Sequence, residues 1–127
     1  MGDVLLMSVV AYSRELGHQQ LVYIPPTTVT TNGDSSANPL VIIIGQTVVF
    51  FINVSAVSGT SPTLNLYVDI QDPASLNWAN QYAFPQITAT GLSYQPLQVQ
   101  STKYRVRWVV GGTSPSFTFS VGVVIIK

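Results

Sequence analysis

The sequence predicts a single all-β domain: an antiparallel β-sandwich, jelly-roll or immunoglobulin-like, with no significant helix. Three observations lead there. Apolar and polar residues alternate with a period of two in several stretches, the spacing that turns one side of a strand inward. Val, Ile and aromatic residues dominate the apolar runs, which favours strand over helix. Clusters of Pro, Gly, Asn and Ser break those runs at the intervals of an all-β sandwich or barrel. The 127 residues suffice for one domain, taken as residues 1–127. About eight to ten short strands are expected.

The first strand is expected over residues 4–12, within the apolar run Val4–Ala11. The run lacks a preceding basic residue and a cleavage site, so it does not read as a secretory signal, and it is too short to cross a bilayer. Ser13–Gln20 offers at most one helical turn, interrupted by Gly17. Leu21–Ile24 is a short strand stopped by Pro25-Pro26. Residues 27–39 are polar and contain Asn32-Gly33, a favoured turn pair, so they form a small hairpin or a surface loop.

Leu40–Ile44 and Thr47–Val54 read as two strands. From Thr63, Leu64, Leu66, Val68 and Ile70 face one way, and Asn65, Tyr67, Asp69 and Gln71 the other. Asp72-Pro73-Ala74-Ser75 is a turn, and residues 77–84 return. Short strands follow near Ile87–Thr90 and Leu97–Gln100. In residues 103–110, Tyr104, Val106, Trp108 and Val110 share a face opposite Lys103, Arg105 and Arg107. In residues 116–126, Phe117, Phe119, Val121, Val123 and Ile125 share a face. The far side from Val121 onward is also partly apolar, so this strand lies in a buried layer or against a neighbouring subunit.

Charge and residue supply exclude several functions. Lys plus Arg is 5, Asp plus Glu is 5 and charged residues make up 8%, against about 25% in an ordinary domain. Five cations do not supply the basic face that phosphate neutralisation requires, so no nucleic-acid partner is expected. No membrane partner is expected either. With no cysteine and one histidine, His18, thiol catalysis, a thiolate zinc site and a multi-histidine site are out of reach. His18 lies in a polar stretch with no nucleophile elbow nearby and reads as an exposed loop residue. Asp69 and Asp72 flank a turn and read as structural rather than as a catalytic pair. No enzyme activity, metal or cofactor is expected.

So little charge is a poor basis for solubility, which suggests a surface covered by a partner or by further copies. The candidate interface is Val4, Leu6 and Val10 in the first strand, Val121, Val123 and Ile125 in the last, and Arg105 with Arg107. Either Asp69, on the polar side of another strand, pairs with one of the two arginines, or the two form a cation pair that docks on an acidic partner. Tyr67, Trp78 and Tyr82 are the candidate exposed aromatics. They leave open a carbohydrate-binding or adhesion module, with a glycan as a possible ligand.

Gly59-Thr60-Ser61-Pro62 recurs as Gly112-Thr113-Ser114-Pro115. Each copy joins two strands, and the two joints are expected at one end of a sandwich. The pattern extends through Ser58–Leu64, a hairpin with Trp78, Ile87–Gly91, Tyr104–Trp108 and Gly111–Val121. Over residues 47–123 it resembles small virion structural proteins of tailed bacteriophages, the head decoration or cement and neck–tail components. Residues before 40 add nothing to the likeness. The resemblance implies a β-sandwich packed on a capsid in several copies, with no catalytic residues. Its partners would be other copies of itself and a major capsid, portal or tail protein. Its place would be the virion, assembled in the host cytoplasm.

Overall fold

The computed structural model describes residues 8–13 and 18–127. Its strands are β1 (Ser8–Ser13), β2 (His18–Val29), β3 (Gly33–Asp34), β4 (Leu40–Val41), β5 (Thr47–Gln71), β6 (Trp78–Ala83), β7 (Gly91–Gln98) and β8 (Lys103–Ile126). The chain is all-β and antiparallel, with no helix among the described residues. None there is long and apolar enough to cross a membrane.

Two strands organise the rest. β5 and β8 run to 25 and 24 residues, several times the usual strand length. They pair along nearly their whole length, from Ile70 opposite Tyr104 to Thr47 opposite Ile126. Their midpoints are the two Gly-Thr-Ser-Pro segments. These are not loops at the end of a sandwich. They lie opposite one another inside one ladder, Thr60 against Thr113, with register shifts on either side.

Gly59 and Gly112 adopt φ of 114° and 107°, and Ser61 and Ser114 φ of 50° and 48°. Each copy therefore makes the same left-handed break, which bends both strands together. A Cβ on Gly59 would sit 2.7 Å from the Ser114 carbonyl oxygen, and one on Gly112 2.6 Å from that of Ser61. Only glycine admits this mutual approach.

The bend divides the sheet into two packed layers, the expected sandwich. In the first layer the order is β1, β2, residues 116–126 of β8, residues 47–58 of β5, and β7. In the second, β3 and β4 flank residues 103–111 of β8, followed by residues 63–71 of β5 and β6. The inner faces meet in a core of Val48, Phe50, Ile52, Leu64, Leu66, Val68, Tyr104, Phe117 and Phe119 with their neighbours. Across it, the Phe50 and Tyr104 rings lie 6.0 Å apart and Trp108 meets Phe119 edge-on at 5.7 Å. The Tyr104 hydroxyl accepts the Gln100 N–H at 2.8 Å, so its burial leaves it paired.

Several local expectations change. β2 does not end at Pro25-Pro26. It absorbs them at register shifts between Val22 and Thr27 and continues to Val29, prolines being tolerated at bulges. Residues 27–39 are neither a separate hairpin nor a free loop. Thr27–Val29 completes β2, and the remainder is tied to β8. Asn32 Oδ1 accepts the Val110 N–H at 2.8 Å, and Ser35 bonds Val106 through both backbone and Oγ. Gly33 lies so close to the Trp108 ring that a Cβ would fall 2.8 Å from it. Of Leu40–Ile44 only Leu40 and Val41 pair, and Ile43 and Ile44 are 83% and 67% exposed. Ile87 makes one isolated bridge to Leu64 rather than a strand, and β7 begins at Gly91. His18 is a half-buried strand residue opposite Ile126, not a loop residue.

Gly112→Ala is expected to destabilise the fold by about 2 kcal/mol or more, because the methyl meets backbone and φ is unsuited to alanine. Urea denaturation measures it. A loss below about 0.5 kcal/mol would mean that the mutual bend is not specified by its glycines.

Candidate functional site: an ion-paired face and an uncharged face

The two outer faces differ in kind. On the second layer, Tyr67 and Asp69 of β5 stand opposite Arg107 and Arg105 of β8, and Asp34 of β3 stands opposite Arg107. Asp69 is only 1% exposed. A lone buried carboxylate is strongly unfavourable, so it must be paired. It accepts Arg105 Nε at 2.8 Å, Arg107 Nε at 2.9 Å and Asn80 Nδ2 at 3.2 Å. Arg105 also reaches Asp34 at 3.5 Å. Sequence reasoning allowed Asp69 one arginine; it holds both.

Each guanidinium is also covered by an aromatic ring. Arg107 lies 4.1 Å from the centroid of Tyr67, and Arg105 lies 4.9 Å from that of Trp78. These contacts order the cations and remove the ring faces from use as a platform. Tyr82 packs edge-on against the buried Phe84 at 5.0 Å. The three candidate exposed aromatics are thus half-buried. The arginines are committed within the chain, their charges answered by Asp69 and Asp34, so they do not form a free cation pair for an acidic partner.

Burial pushes the Asp69 carboxyl upward, but hydrogen bonds from Arg107, Arg105 and Asn80 outweigh it and hold the group below the ordinary carboxylate range. Ser36 lowers Asp34 in the same way, through hydroxyl and backbone N–H, and Ser75 and the Ala74 N–H lower Asp72. The Asp69 hydrogen bond raises Arg107.

The first layer's outer face is the opposite case. Its cross-strand rows run Leu92–Asn53–Ser120, Tyr94–Phe51–Gly122–Val22, Pro96–Val49–Val124–Gln20 and Gln98–Thr47–Ile126–His18. No charged side chain belongs to these rows; Lys127 lies beyond the end of β8. Leu92 is 68% and Tyr94 62% exposed. The Tyr94 ring stacks on Phe51 with centroids 5.5 Å apart. The exposed large apolar side chains of these rows are thus Leu92, Tyr94 and Val22.

The structure corrects the predicted interface on β8. Val121, Val123 and Ile125 point into the core and are almost fully buried. Their strand pairs on both sides, with β2 and β5, so it offers no free edge. The outward residues are the alternate ones, Gly122, Val124 and Ile126. Val10 falls in β1, at a register shift between Val9 and Ala11, while Val4 and Leu6 lie outside the described residues. Leu92 and Gly122 did not stand out in the sequence, and Tyr94 was one aromatic among several. The period-two spacing of Leu92, Tyr94 and Pro96 is the signal that marks them.

Between β2 and residues 35–41 lies an open groove of about 770 Å³, lined by Tyr23, Ile24, Pro25, Asn38, Val41 and Trp108 among others. The Tyr23 hydroxyl is engaged there with Ser35 Oγ and the Asn38 carbonyl. No group of three or more potential metal ligands occurs among the described residues.

No family model matches the chain, and no curated protein matches it. Among solved structures it is similar to one described as "CBM4 structure and function", with 15% identity, a TM-score of 0.39, and coverage of 89% of this chain and 73% of that one. A likeness at that level carries no argument about this chain.

Asp69→Asn is expected to destabilise the protein by about 3 kcal/mol, because two guanidiniums lose their shared carboxylate. The pH dependence follows from its lowered folded pKa. Its stabilisation is fully present above the unfolded value, about 3.9, and is lost as pH falls through the folded value. Wild-type stability should therefore hold from neutral pH to about 5 and fall below about 4, with a shallower fall in Asp69→Asn. Equal acid slopes in urea titrations of the two proteins would contradict this.

Proposed function

We propose that this chain is a non-enzymatic virion structural protein, a capsid decoration or cement protein or a minor head–neck–tail component. It acts by multivalent protein–protein contacts. The observation that carries the reading is the division of the surface: one outer face holds an ion network of Asp69, Asp34, Arg105 and Arg107, and the other, among the described residues, is uncharged and mostly apolar. Burying the second face against a protein neighbour desolvates no charge. Burying Leu92 alone contributes on the order of 1.5–3 kcal/mol. Each contact is modest, and repetition by symmetry makes the sum large. The resemblance of residues 47–123 to phage virion proteins supports this reading and supplies the partners: further copies and a major capsid, portal or tail protein.

A carbohydrate-binding module is the second reading, and it rests on Tyr94. Unlike Tyr67 and Trp78, this ring is not covered by a cation. Among the described residues it stands on an uncharged face, with Asn53 in the adjacent row and Gln98 two rows away.

Co-sedimentation with tailed-phage capsids that lack the protein tests the first reading. Saturable uptake is expected, weakened at least about tenfold by Leu92→Asp or Tyr94→Asp, each of which would bury an unpaired charge. No uptake by capsids, together with Tyr94-dependent retention on immobilised polysaccharide, would replace it with the second.

A further inference from the structure

The open groove between the two layers lies in the path of this chain's own upstream segment. It is lined by Val22–Pro25 of β2 on one side and by Val41, Lys103 and Trp108 on the other. β1 runs antiparallel along β2, and its pairing climbs from Ser13 opposite His18 to Ser8 opposite Val22. Among the described residues, no strand pairs with this edge of β2 beyond Val22, while β8 holds the other edge as far as Val29. The chain upstream of Ser8 is therefore aimed along the residues that line the groove. Carried on, the register sets Met7 opposite Tyr23 and Leu5 opposite Pro25. Tyr23 reaches across to Ser35 and Asn38 of the other wall, so its side of β2 is the groove side. Opposed positions of an antiparallel pair share a face, and alternation then assigns Asp3, Leu5 and Met7 to that side and Val4 and Leu6 to the other. Pro25 and Pro26 have no N–H to donate, so beyond them side chains rather than a ladder must hold the segment.

We infer that residues 3–7 of the same chain occupy this groove as the upstream continuation of β1, with Leu5 and Met7 turned into it and Asp3 beside Lys103. Three observations select this occupant over any other. The register of β1 delivers it to the groove. Its run Val4–Met7 is wholly apolar, as suits a wall formed by Ile24, Pro25, Val41 and Trp108. The charges also match. Lys103 is the one cation among the lining residues and has no carboxylate partner among the described residues, and Asp3 is the one acid in residues 1–7. Asp3 precedes Ser8 by five residues and Pro25 follows Val22 by three, so the segment is long enough to pass the prolines. The contact closes the sandwich along its open side and stands apart from the assembly reading, which concerns the outer face of the first layer.

Trp108 reports on the groove. The chain has two tryptophans, so Trp78→Phe leaves Trp108 alone, and acrylamide quenching of its fluorescence tests the inference in the full chain. In that background, deletion of residues 1–7 is expected to roughly double the quenching constant, because the ring loses its cover. Leu5→Asp should do the same, since it would place a charge in the groove, whereas Leu6→Asp, on the other side of the segment, should leave quenching unchanged. Far-ultraviolet circular dichroism checks that each variant keeps its strands; if the deletion does not fold, the contrast between Leu5→Asp and Leu6→Asp decides. Quenching that neither the deletion nor Leu5→Asp alters overturns the inference. Equal effects of Leu5→Asp and Leu6→Asp overturn the register on which it rests. Sedimentation velocity on the same samples separates the source of the segment. Protection of Trp108 in the monomer upholds the contact within one chain, and protection found only where the chain is dimeric overturns it in favour of a segment exchanged between copies.

Discussion

The mutual bend of β5 and β8 is the constraint on which the other features depend. Two long strands pair along one ladder, and at its middle each places a glycine against the other's backbone. Without that break, the residues that now face each other across the core would lie along one flat sheet with an unburied apolar side. With it, the alternation on both sides of the bend points inward at once. Phe50 reaches Tyr104, and Trp108 reaches Phe119. The short strands β3, β4, β6 and β7 then need only attach to the flanks of the two long ones.

The same bend sorts the polar residues. Beyond it, the outer positions of β5 and β8 carry Tyr67, Asp69, Arg105 and Arg107; before it, they carry Val49, Phe51, Gly122 and Val124. A single ladder thus presents an ion-bearing face and a neutral face on opposite sides of one small domain. The charged side holds an ion network of its own. Asp69 is held by three donors, both arginines are stacked on rings, and the remaining carboxylate, Asp34, approaches Arg105. Such a network fixes the cross-strand register of the second layer, since a slip by one residue would bury cations and expose the core. The neutral side has no counterpart network among the described residues.

The all-β class, the inward faces of β5 and β8 and the polar rank of Asp69 with the arginines were legible because alternation is a local property. The bend was harder to read. Gly-Thr-Ser-Pro looks like a turn in isolation, and only the meeting of its two copies makes it a bulge inside a ladder. A strand apolar on both sides does not say which side is the core, so the sequence places Val121, Val123 and Ile125 at an interface; burial puts them inside. Tyr67 and Trp78 read as exposed rings in the sequence because the arginines that cover them come from a strand far along the chain. The 27–39 segment shows the same limit. Its polar residues suggested solvent, yet several of them satisfy the edge of β8.

The ladder also dictates an order of events. Ile70 and Tyr104 are its closest partners in sequence, and Thr47 and Ile126 the most distant. Loop-closure entropy favours pairing first where the intervening loop is shortest, so the ladder reaches the glycines from the Ile70–Tyr104 end. The layer with the neutral rows closes after that, since its central strands lie on the far side. A half-zipped chain therefore has no finished greasy surface to offer.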